Sequence, residues 1–284
     1  MIQRSKRIGI VAPGRAIDRS VAAKVTALGR ETFGADRLEL VFHPQCFQQA
    51  GHFAGPDALR ADALVETAND PEIDAVWFAR GGYGSCRLLD IAIHRLGPTA
   101  RRKTYLGYSD TGSLLASLYK DRIGTVAHGP MPSDISRPEG ELAVHRALDF
   151  LLRGAESDVL EPTTSASGHF AAFNITVLAN LIGTPWVPDL TGHVLMLEDV
   201  GEYHYSLDRM LFNITSSLEM RGLAGLRLGR CDPIPENDIA FGSTASEIAA
   251  HWCERNAIPY LGRADIGHDV HNKIVVFGTR NPSS

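Results

Sequence analysis

Near the N-terminus the chain reads Ile8-Gly9-Ile10-Val11-Ala12, a short apolar run that Pro13-Gly14 ends at once. The length of the run and the turn signal after it are typical of a buried strand. Apolar residues at helical spacing follow through Val21, Val25 and Leu28. The stretch therefore predicts a strand followed by a helix, the repeating unit of an α/β fold.

The same alternation continues through the first half of the chain. Further strands are predicted at Leu38–Phe42, Ala75–Ala79, Thr104–Tyr108 and Gly124–Ala127, and further helices at Leu59–Ala68 and Glu139–Leu152. Repeated units of this kind build a mostly parallel sheet with helices packed on its faces. We therefore predict an α/β fold in which residues 1–155 form an N-terminal domain around a parallel sheet.

A change of composition separates this half from the rest. Between Gly154 and Gly168 the chain is rich in Ser, Thr, Glu, Gly and Pro, which predicts a linker at residues 156–168. Residues 169–284 then form a smaller C-terminal α/β domain. Its predicted elements are a helix at Phe170–Leu181, a strand at Val194–Leu197, helices at Tyr205–Met220 and from Thr244, and a last strand at Lys273–Phe277.

Composition excludes several classes of protein. The 284 residues carry 28 Lys and Arg against 33 Asp and Glu, a formal net charge of −5, so electrostatics give no support for nucleic-acid binding. No apolar run approaches the roughly 20 residues of a membrane helix, and the basic N-terminus lacks a signal-peptide core. The four cysteines are far apart, which favours reduced thiols in a cytoplasmic protein over a disulfide framework.

A candidate reactive turn lies at Gly107-Tyr108-Ser109-Asp110-Thr111-Gly112, between a predicted strand and an apolar helix. A serine on a sharp strand-to-helix turn is held away from the sheet, above the unpaired N–H groups of the helix start. The spacing departs from Gly-x-Ser-x-Gly because Gly112 comes one position late. An equally simple interpretation is that Ser109 or Asp110 caps the helix.

A second turn, Arg80-Gly81-Gly82-Tyr83-Gly84-Ser85, follows the third predicted strand. Three glycines in four positions let the backbone approach a ligand or adopt positive φ. The turn lacks the Gly-Lys-[Ser/Thr] of a phosphate-binding loop. It is either a tight connection or a source of backbone N–H donors at the carboxyl edge of the sheet, where open α/β sheets bind ligands.

Acidic residues and histidines occur later in the chain. Glu198, Asp199 and Glu202 end a predicted strand, where carboxylates are usually solvated, and His128 fits a structural turn. His268 and His271 are three positions apart before the last strand. Because a turn is a poor place for that spacing to converge on a metal ion, we expect no metal site and no cofactor.

Taken in order, seven segments resemble the LD-carboxypeptidase family of serine peptidases. They are Ile10–Pro13, Ala79–Gly84, Gly107–Asp110, His128–Met131, Gly183–Pro185, Leu197–Val200 and Gly267–His268. Each is weak alone, but together they run from about residue 8 to residue 278. The resemblance implies an N-terminal domain of the flavodoxin-like or glutamine-amidotransferase-like kind, and a catalytic site in the cleft between two domains.

The resemblance also implies a triad. Ser109 would be the nucleophile, His268 the general base and then acid, and Glu198 the carboxylate that orients the imidazole. The backbone N–H groups of Gly82 and Asp110 would form the oxyanion hole. The chemistry is consistent, since a serine hydroxyl is a poor nucleophile until a histidine removes its proton. On this basis the acidic limb of the pH profile should fall in the ordinary histidine range, about 6–7.

The implied substrate is a small cytosolic muropeptide, cleaved between an L-centre and a terminal D-amino acid during peptidoglycan recycling. Arg80 is a candidate for binding the terminal carboxylate, and Tyr83 and Asn174 are further candidate binding residues. Family members often carry Gly-Gly-Asn-Leu where this chain has Ala172-Phe173-Asn174-Ile175. If that stretch borders the pocket, Phe173 should narrow it.

Two other functions stay open from the sequence. One is a peptidase resembling the microcin-immunity enzymes, which cleave an acyl-amide bond in a peptide-nucleotide. Of the three tryptophans, only Trp186 is placed to stack on a nucleobase, since Trp77 lies in a predicted core strand and Trp252 on a helix face. The other is a non-catalytic ligand-binding relative. No nucleic-acid or membrane partner is expected, and the oligomeric state, a homodimer included, stays open.

Overall fold

A computed structural model describes residues 4–154, 159–162 and 168–280, which divide between two sheets. The first sheet contains β1 (Lys6–Val11), β2 (Leu38–Phe42), β3 (Ala75–Phe78), β4 (Thr104–Gly107), β5 (Thr125–His128) and β10 (Val275–Val276). Its strand order is β10-β5-β4-β3-β1-β2. Strands β1 to β5 pair in parallel, and β10 runs antiparallel to β5. The order β2-β1-β3-β4-β5 is the flavodoxin-like one.

Helices pack on this sheet: α1 (Arg19–Phe33), α2 (Asp57–Asn69), α3 (Leu89–Ala92), α4 (Gly112–Lys120) and α5 (Gly140–Arg153). The central strand β3 is therefore apolar throughout. All four residues of β3 are buried, which is the pattern of a parallel strand packed on both faces. Within it, the Trp77 indole is fully buried and donates a hydrogen bond of 2.8 Å to the Pro130 carbonyl.

The second sheet is built mainly from the C-terminal half. Its strands are β6 (Gly168–Asn174), β7 (His193–Glu198), β8 (Gly225–Leu228), β9 (Tyr260–Arg263) and β11 (Gly278–Arg280), in the order β11-β6-β7-β8-β9. Only β11 is antiparallel to its neighbour. The helices are α6 (Ile175–Leu181), α7 (His204–Ser216) and α8 (Ala245–Arg255). The predicted α/β class is confirmed, and so is the mostly parallel sheet predicted for the N-terminal half. The C-terminal half adds a mostly parallel sheet of its own.

The elements of the second half differ in detail from the prediction. The single helix predicted at Phe170–Leu181 is wrong, because Phe170 to Asn174 complete β6 and the helix begins at Ile175. The buried run Ala171-Ala172-Phe173 fits either element, and pairing with β7 makes it a strand. The helix predicted from Thr244 is confirmed, and a capping box begins it: Thr244 N–H donates to Glu247 Oε2 at 2.7 Å, and Glu247 N–H donates to Thr244 Oγ1 at 3.3 Å.

The last strand predicted, at Lys273–Phe277, is shorter than predicted, and a second strand in the other sheet follows it directly. Val275 and Val276 pair with β5 of the first sheet, and from Gly278 the chain pairs with β6 of the second. Part of the predicted linker is also packed, because Leu160 is buried and bridges to Ile274. Residues 155–158 and 163–167 lie outside the described residues, so the boundaries of the linker and the two domains stay predictions.

The carboxyl ends of the strands carry the residues of interest. Gly81 and Gly82 follow β3, Ser109 follows β4, and His128 ends β5, all at one edge of the first sheet. Glu198 ends β7 of the second sheet. Open α/β sheets bind ligands at the carboxyl ends of their strands, so the topology places the candidate residues where a binding site is expected.

Candidate active site

Ser109 lies on the sharp turn that joins β4 to α4. Its backbone φ is +59°, a left-handed conformation that is uncommon for non-glycine residues. A turn of 3₁₀ helix at Ser109–Thr111 leads directly into α4. No side chain caps this helix turn, so the capping alternative for Ser109 and Asp110 is wrong. The geometry instead matches a nucleophile turn, which presents the serine hydroxyl above a helix N-terminus.

The Gly-rich turn packs directly against this serine. A Cβ added at Gly81 would lie 2.8 Å from both Cβ and Oγ of Ser109, a separation that only glycine permits. Gly82 has a φ of +111°, and its N–H has no hydrogen-bond partner among the residues described. The Asp110 N–H lies in the first turn of the helical segment, where N–H groups have no intrahelical acceptor. Both predicted oxyanion donors therefore lie beside Ser109.

The side chain of Asp110 connects the two turns. Its carboxylate accepts hydrogen bonds from Gly84 N–H at 3.2 Å, Ser85 N–H at 3.0 Å and Ser85 Oγ at 2.6 Å. Burial raises the pKa of Asp110, and the hydrogen bonds from Ser85 and Gly84 oppose that rise. Asp110 thus contributes a backbone donor with its N–H and holds the Gly-rich turn with its carboxylate.

Glu198 and His268 form a direct contact between the end of β7 and the loop before β10. The His268 Nδ1–H donates to Glu198 Oε2, which leaves Nε2 as the imidazole's acceptor. Glu198 is fully buried and the His268 side chain is 8% exposed. Burial alone would raise the pKa of Glu198, but His268 and His128 lower it to about 2. Burial lowers the pKa of His268, and the charge and hydrogen bond of Glu198 raise it more, so the net shift is upward.

Three linked residues of the first half support His268: Tyr108 contacts its ring, Arg137 binds its backbone carbonyl, and Asp134 joins Tyr108 to Arg137. The rings of Tyr108 and His268 lie 4.8 Å apart between centroids, and Arg137 Nη1 donates to the His268 carbonyl at 2.7 Å. Asp134 Oδ1 accepts from Tyr108 Oη at 2.8 Å and from Arg137 Nε at 3.0 Å. Asp134 and Arg137 could not be recognised from the sequence, because no motif marks them and the His268 carbonyl that Arg137 binds lies 131 positions further along the chain.

Two cavities meet at Ser109 and His268. The first has a volume of about 630 Å³ and is lined by Arg80, Arg137 and Tyr108 among others. The second, of about 540 Å³, is lined by Tyr83, Asn174 and Glu202 among others. Gly82, Ser109, Val200 and His268 line both cavities. The structure therefore places Ser109 and His268 at the junction of two cavities, with Glu198 buried behind His268.

No hydrogen bond joins Ser109 Oγ to His268 within the described part of the chain. Such a bond often forms well only when substrate is bound, so geometry without substrate does not exclude the pair. The arrangement can still remove a proton from a hydroxyl, since a basic imidazole, its orienting carboxylate and backbone donors share one site.

The three predicted binding residues all line a cavity. Arg80 is half-buried in the first, and its guanidinium forms no ion pair within 4 Å among the residues described. Burial, followed by the charge of Arg15, lowers the pKa of Arg80. Tyr83 is 50% exposed at the second cavity. Asn174 also lines it, but its amide caps α6 through Val177 N–H and donates to Asp199 Oδ1 at 2.7 Å.

Two aromatic residues fall elsewhere than the sequence suggested. Phe173 is fully buried against Phe277, with centroids 5.1 Å apart, and lines neither cavity, so it does not narrow the pocket. Trp186 packs against the core and also lines neither cavity. His128 is not a turn residue either, because it is the buried last residue of β5.

The described residues contain neither a metal-binding cluster nor a membrane-spanning helix. Within residues 4–154, 159–162 and 168–280, no group of three or more His, Cys, Asp or Glu side chains could hold a metal ion. None of the helices in these ranges combines the length and apolar content needed to cross a bilayer.

Comparison with known sequences assigns the family. The N-terminal domain of LD-carboxypeptidase matches residues 8–129, and the C-terminal domain matches residues 167–281. A protein of Synechocystis sp. named as a carboxypeptidase is 32% identical over 251 residues, which cover 85% of this chain and 80% of the relative. The chain belongs to the LD-carboxypeptidase family. This LD-carboxypeptidase family member is thereby a peptide hydrolase of the carboxypeptidase type, and the resemblance found in the sequence is confirmed.

Further relatives support the same family assignment. The murein tetrapeptide carboxypeptidase of Pseudomonas aeruginosa is 27% identical over 288 residues, covering 96% of this chain and 91% of the relative. Two solved structures share the fold. The muramoyltetrapeptide carboxypeptidase of Oxalobacter formigenes has a TM-score of 0.80 at 24% identity, over 96% of this chain and 93% of that one. The microcin C7 self-immunity protein has a TM-score of 0.76 at 17% identity, over 99% and 98%.

Proposed function

We propose that this chain is a serine carboxypeptidase that releases a terminal D-amino acid from an L-centre of muropeptides. The observation that carries the proposal is the buried Glu198–His268 pair, which lies with Ser109 at the junction of two cavities. The name of the Pseudomonas aeruginosa relative, murein tetrapeptide carboxypeptidase, supports the substrate class. A cytoplasmic role in peptidoglycan recycling is part of the same proposal.

In the proposed reaction, Ser109 Oγ attacks the carbonyl carbon of the last peptide bond while His268 Nε2 takes its proton. Glu198 keeps the imidazole in the required tautomer and stabilises the imidazolium. The tetrahedral oxyanion accepts hydrogen bonds from Gly82 N–H and Asp110 N–H, and one such donor typically contributes about 3–4 kcal/mol to transition-state stabilisation. His268 then protonates the leaving amine, and water, activated by the same histidine, hydrolyses the acyl-enzyme.

The first cavity fits the leaving D-amino acid. A carboxypeptidase must bind the free C-terminal carboxylate of its substrate. Arginine is the residue best suited to this, because its guanidinium can form two hydrogen bonds to one carboxylate. Arg80 is half-buried, lines this cavity and has no carboxylate partner within 4 Å among the described side chains. We therefore assign Arg80 to the terminal carboxylate.

The second cavity then takes the acyl side of the substrate. Glu202 lines it next to Thr176 and Asn180, so its rim combines a carboxylate with neutral polar groups. A rim of this kind suits an amino acid with a free ammonium group on its side chain. Tyr83, half exposed at the same cavity, offers a flat apolar face to the rest of the peptide.

Tyr83 also favours a second candidate function. Structures of the microcin C7 self-immunity protein include a complex with aspartyl sulfamoyl adenosine. A half-exposed tyrosine at the acyl cavity could stack on a base in a compound of that kind, because aromatic rings stack on any nucleobase. Cleavage of an acyl-amide bond in a peptide-nucleotide would use the same Ser109, His268 and Glu198.

One assay separates these functions. The protein is incubated with a peptide ending in an L-residue followed by D-alanine, with the same peptide ending in L-alanine, and with aspartyl sulfamoyl adenosine. We expect release of D-alanine only from the first, and loss of that activity in Ser109→Ala. Ser133→Ala, at another serine lining the first cavity, is the matched control and should keep activity. Wild-type hydrolysis by Ser109→Ala would refute the serine mechanism, and cleavage of the adenosine compound alone would favour the second function. Binding without hydrolysis would indicate a non-catalytic relative.

A further inference from the structure

A second histidine faces the catalytic carboxylate. His128 ends β5, opposite Gly107 of β4 in the sheet, and its side chain is 1% exposed. Its ring lies 5.7 Å from the ring of Tyr108 between centroids. His128 Nε2 is 3.7 Å from Glu198 Oε1, the oxygen that His268 does not use.

The polar atoms at this contact have no other partner. Both ring nitrogens of His128 and Oε1 of Glu198 are buried and lack a hydrogen bond among the described residues. A buried polar atom without a partner is costly, so native proteins pair nearly all of them. The 3.7 Å separation exceeds a hydrogen bond by less than 1 Å, and a small rotation of either side chain would close it. His128 Nε2 and Glu198 Oε1 are therefore natural hydrogen-bond partners for each other.

We propose that His128 is a positioning residue that donates its Nε2–H to Glu198 Oε1 and fixes the plane of that carboxylate. The inference rests on the proposed function in one respect: it takes His268 as the general base that Glu198 orients. With Oε1 held by His128, Glu198 cannot rotate about its last bond, and Oε2 stays directed at His268 Nδ1. The carboxylate is then held between two imidazoles, one fixed in the sheet and one reactive.

The buried charge of Glu198 gives such a donor a clear purpose. Glu198 is fully buried, so it must be stabilised as an anion before His268 becomes an imidazolium during the reaction. The charge of Asp199 raises the pKa of His268. Burial raises the pKa of Asp199 itself, and the charge of Glu198 adds to that rise. Arg137 acts on His268 in the opposite direction. An N–H donor at His128 stabilises the Glu198 anion on the oxygen that His268 does not use.

Four variants test the proposal. His128→Gln keeps a donor near the ε position, His128→Asn places its amide near the δ position and short of Glu198, and His128→Phe keeps ring volume without a donor. His193→Phe is the matched control, because His193 is also a buried histidine but lies at the opposite end of β7 and hydrogen-bonds to Tyr119 Oη at 2.7 Å.

We expect kcat to fall about tenfold to a hundredfold in His128→Phe and His128→Asn, with KM nearly unchanged, as for loss of one hydrogen bond to a charged group. His128→Gln should recover most of the activity, and His193→Phe should keep wild-type kcat. If His128→Phe keeps wild-type kcat, or if Gln is no better than Asn, the proposal fails. The Gln and Asn variants alone decide it if His128→Phe does not fold.

A second readout does not need hydrolysis. The proton between His268 Nδ1 and Glu198 Oε2 should give a low-field ¹H NMR signal that disappears in His268→Gln. We expect His128→Phe to shift or broaden it, His128→Gln to preserve it, and His193→Phe to leave it unchanged. An unchanged signal in His128→Phe would overturn the positioning role. If instead Ser109→Ala still hydrolyses substrate, the serine mechanism fails while this signal still reports on His128.

Discussion

Asp110 accepts both the backbone N–H and the hydroxyl of Ser85, at 3.0 and 2.6 Å, across the space between the serine turn and the Gly-rich turn. The two proposed oxyanion donors, Gly82 N–H and Asp110 N–H, belong to these two turns. Their spacing therefore depends on a buried carboxylate that need not touch substrate. A developing oxyanion is stabilised most when its donors are already in place, and this contact supplies that rigidity.

Replacing Asp110 should impair catalysis more than substrate binding. Asp110→Ala leaves Gly84 N–H, Ser85 N–H and Ser85 Oγ without their acceptor, which we expect to cost about 1–3 kcal/mol in free energy of unfolding. We also expect kcat to fall about tenfold or more, with a small change in KM. Ser85→Ala removes only the hydroxyl contact and serves as the control. Steady-state kinetics and urea unfolding check both, and equal losses in the two variants would contradict the role given to the carboxylate.

The pH profile should reflect the raised pKa of His268. A general base must be neutral, so kcat/KM should rise with pH and reach half its plateau above the ordinary histidine value of 6.5. The acidic limb is therefore expected toward higher pH than the sequence alone indicates, which is about 6–7. In Glu198→Gln the anion that raises the His268 pKa is lost, so the acidic limb should move to lower pH while kcat falls. A limb that does not move would argue against Glu198 as the partner of His268.

Acid stability should depend on Glu198. Its pKa falls from 4.5 to about 2 on folding, so the stabilisation is fully present above 4.5 and is lost as pH falls toward about 2. The free-energy difference between wild type and Glu198→Gln should therefore shrink over that interval. His268, whose pKa is raised, has the opposite dependence, since its contribution is present below 6.5 and is lost as pH rises through its folded pKa. Denaturant unfolding at several pH values measures both, with Glu202→Gln as the control.

Arg80 should act on substrate binding through the terminal carboxylate. Arg80→Gln removes the cation, and we expect KM to rise about tenfold or more with a smaller effect on kcat. Arg80→Lys should recover part of the loss, because it restores charge without the planar fork. A substrate with an amidated C-terminus is the control, since its low activity should be the same in wild type and Arg80→Gln. Unequal values would show that Arg80 serves another purpose.

Arg137 should matter for catalysis through the position of His268. Arg137→Met removes the hydrogen bond to the His268 carbonyl and the contact with Asp134, so we expect kcat to fall. Arg146 holds the same loop further along, donating to the Val270 carbonyl at 2.8 Å and the Asn272 carbonyl at 3.1 Å. Arg146→Met should lower the free energy of unfolding with a smaller loss of kcat. A larger loss of kcat in Arg146→Met than in Arg137→Met would show that Arg137 stabilises the loop rather than the position of His268.

Local patterns predicted most of the first sheet. Leu38–Phe42 was predicted with its observed bounds, and β1, β3 and β4 within two residues at either end, because buried parallel strands are continuous apolar runs between turn signals. The second sheet was predicted less well. Strands β8 and β9 were missed, since each has four residues and contains glycine and arginine. Their strand conformation depends on neighbours in the sheet rather than on their own pattern.

The site divides in the same way. Ser109 and the glycines carry local turn chemistry, so their segments could be recognised, and the family resemblance supplied His268 and Glu198. The contacts of Asp134, Arg137 and His128 could not be found from local sequence. Arg137 reaches the His268 carbonyl and His128 faces Glu198 only after the two halves fold together. Asp134 meets Tyr108 within the first half, but across two strands and their connections rather than at a local spacing.

The route of the C-terminal strands has a consequence for how the protein can be divided. Pairing of Val275 and Val276 covers the edge of β5, and pairing of Gly278–Arg280 covers the edge of β6. A fragment ending before Val275 would therefore expose two bare strand edges at once, each a template for aggregation. Neither half should be soluble when expressed alone, and thermal melting of the intact chain should show one cooperative transition. A chain in which two sheets share one closing segment unfolds as a single unit.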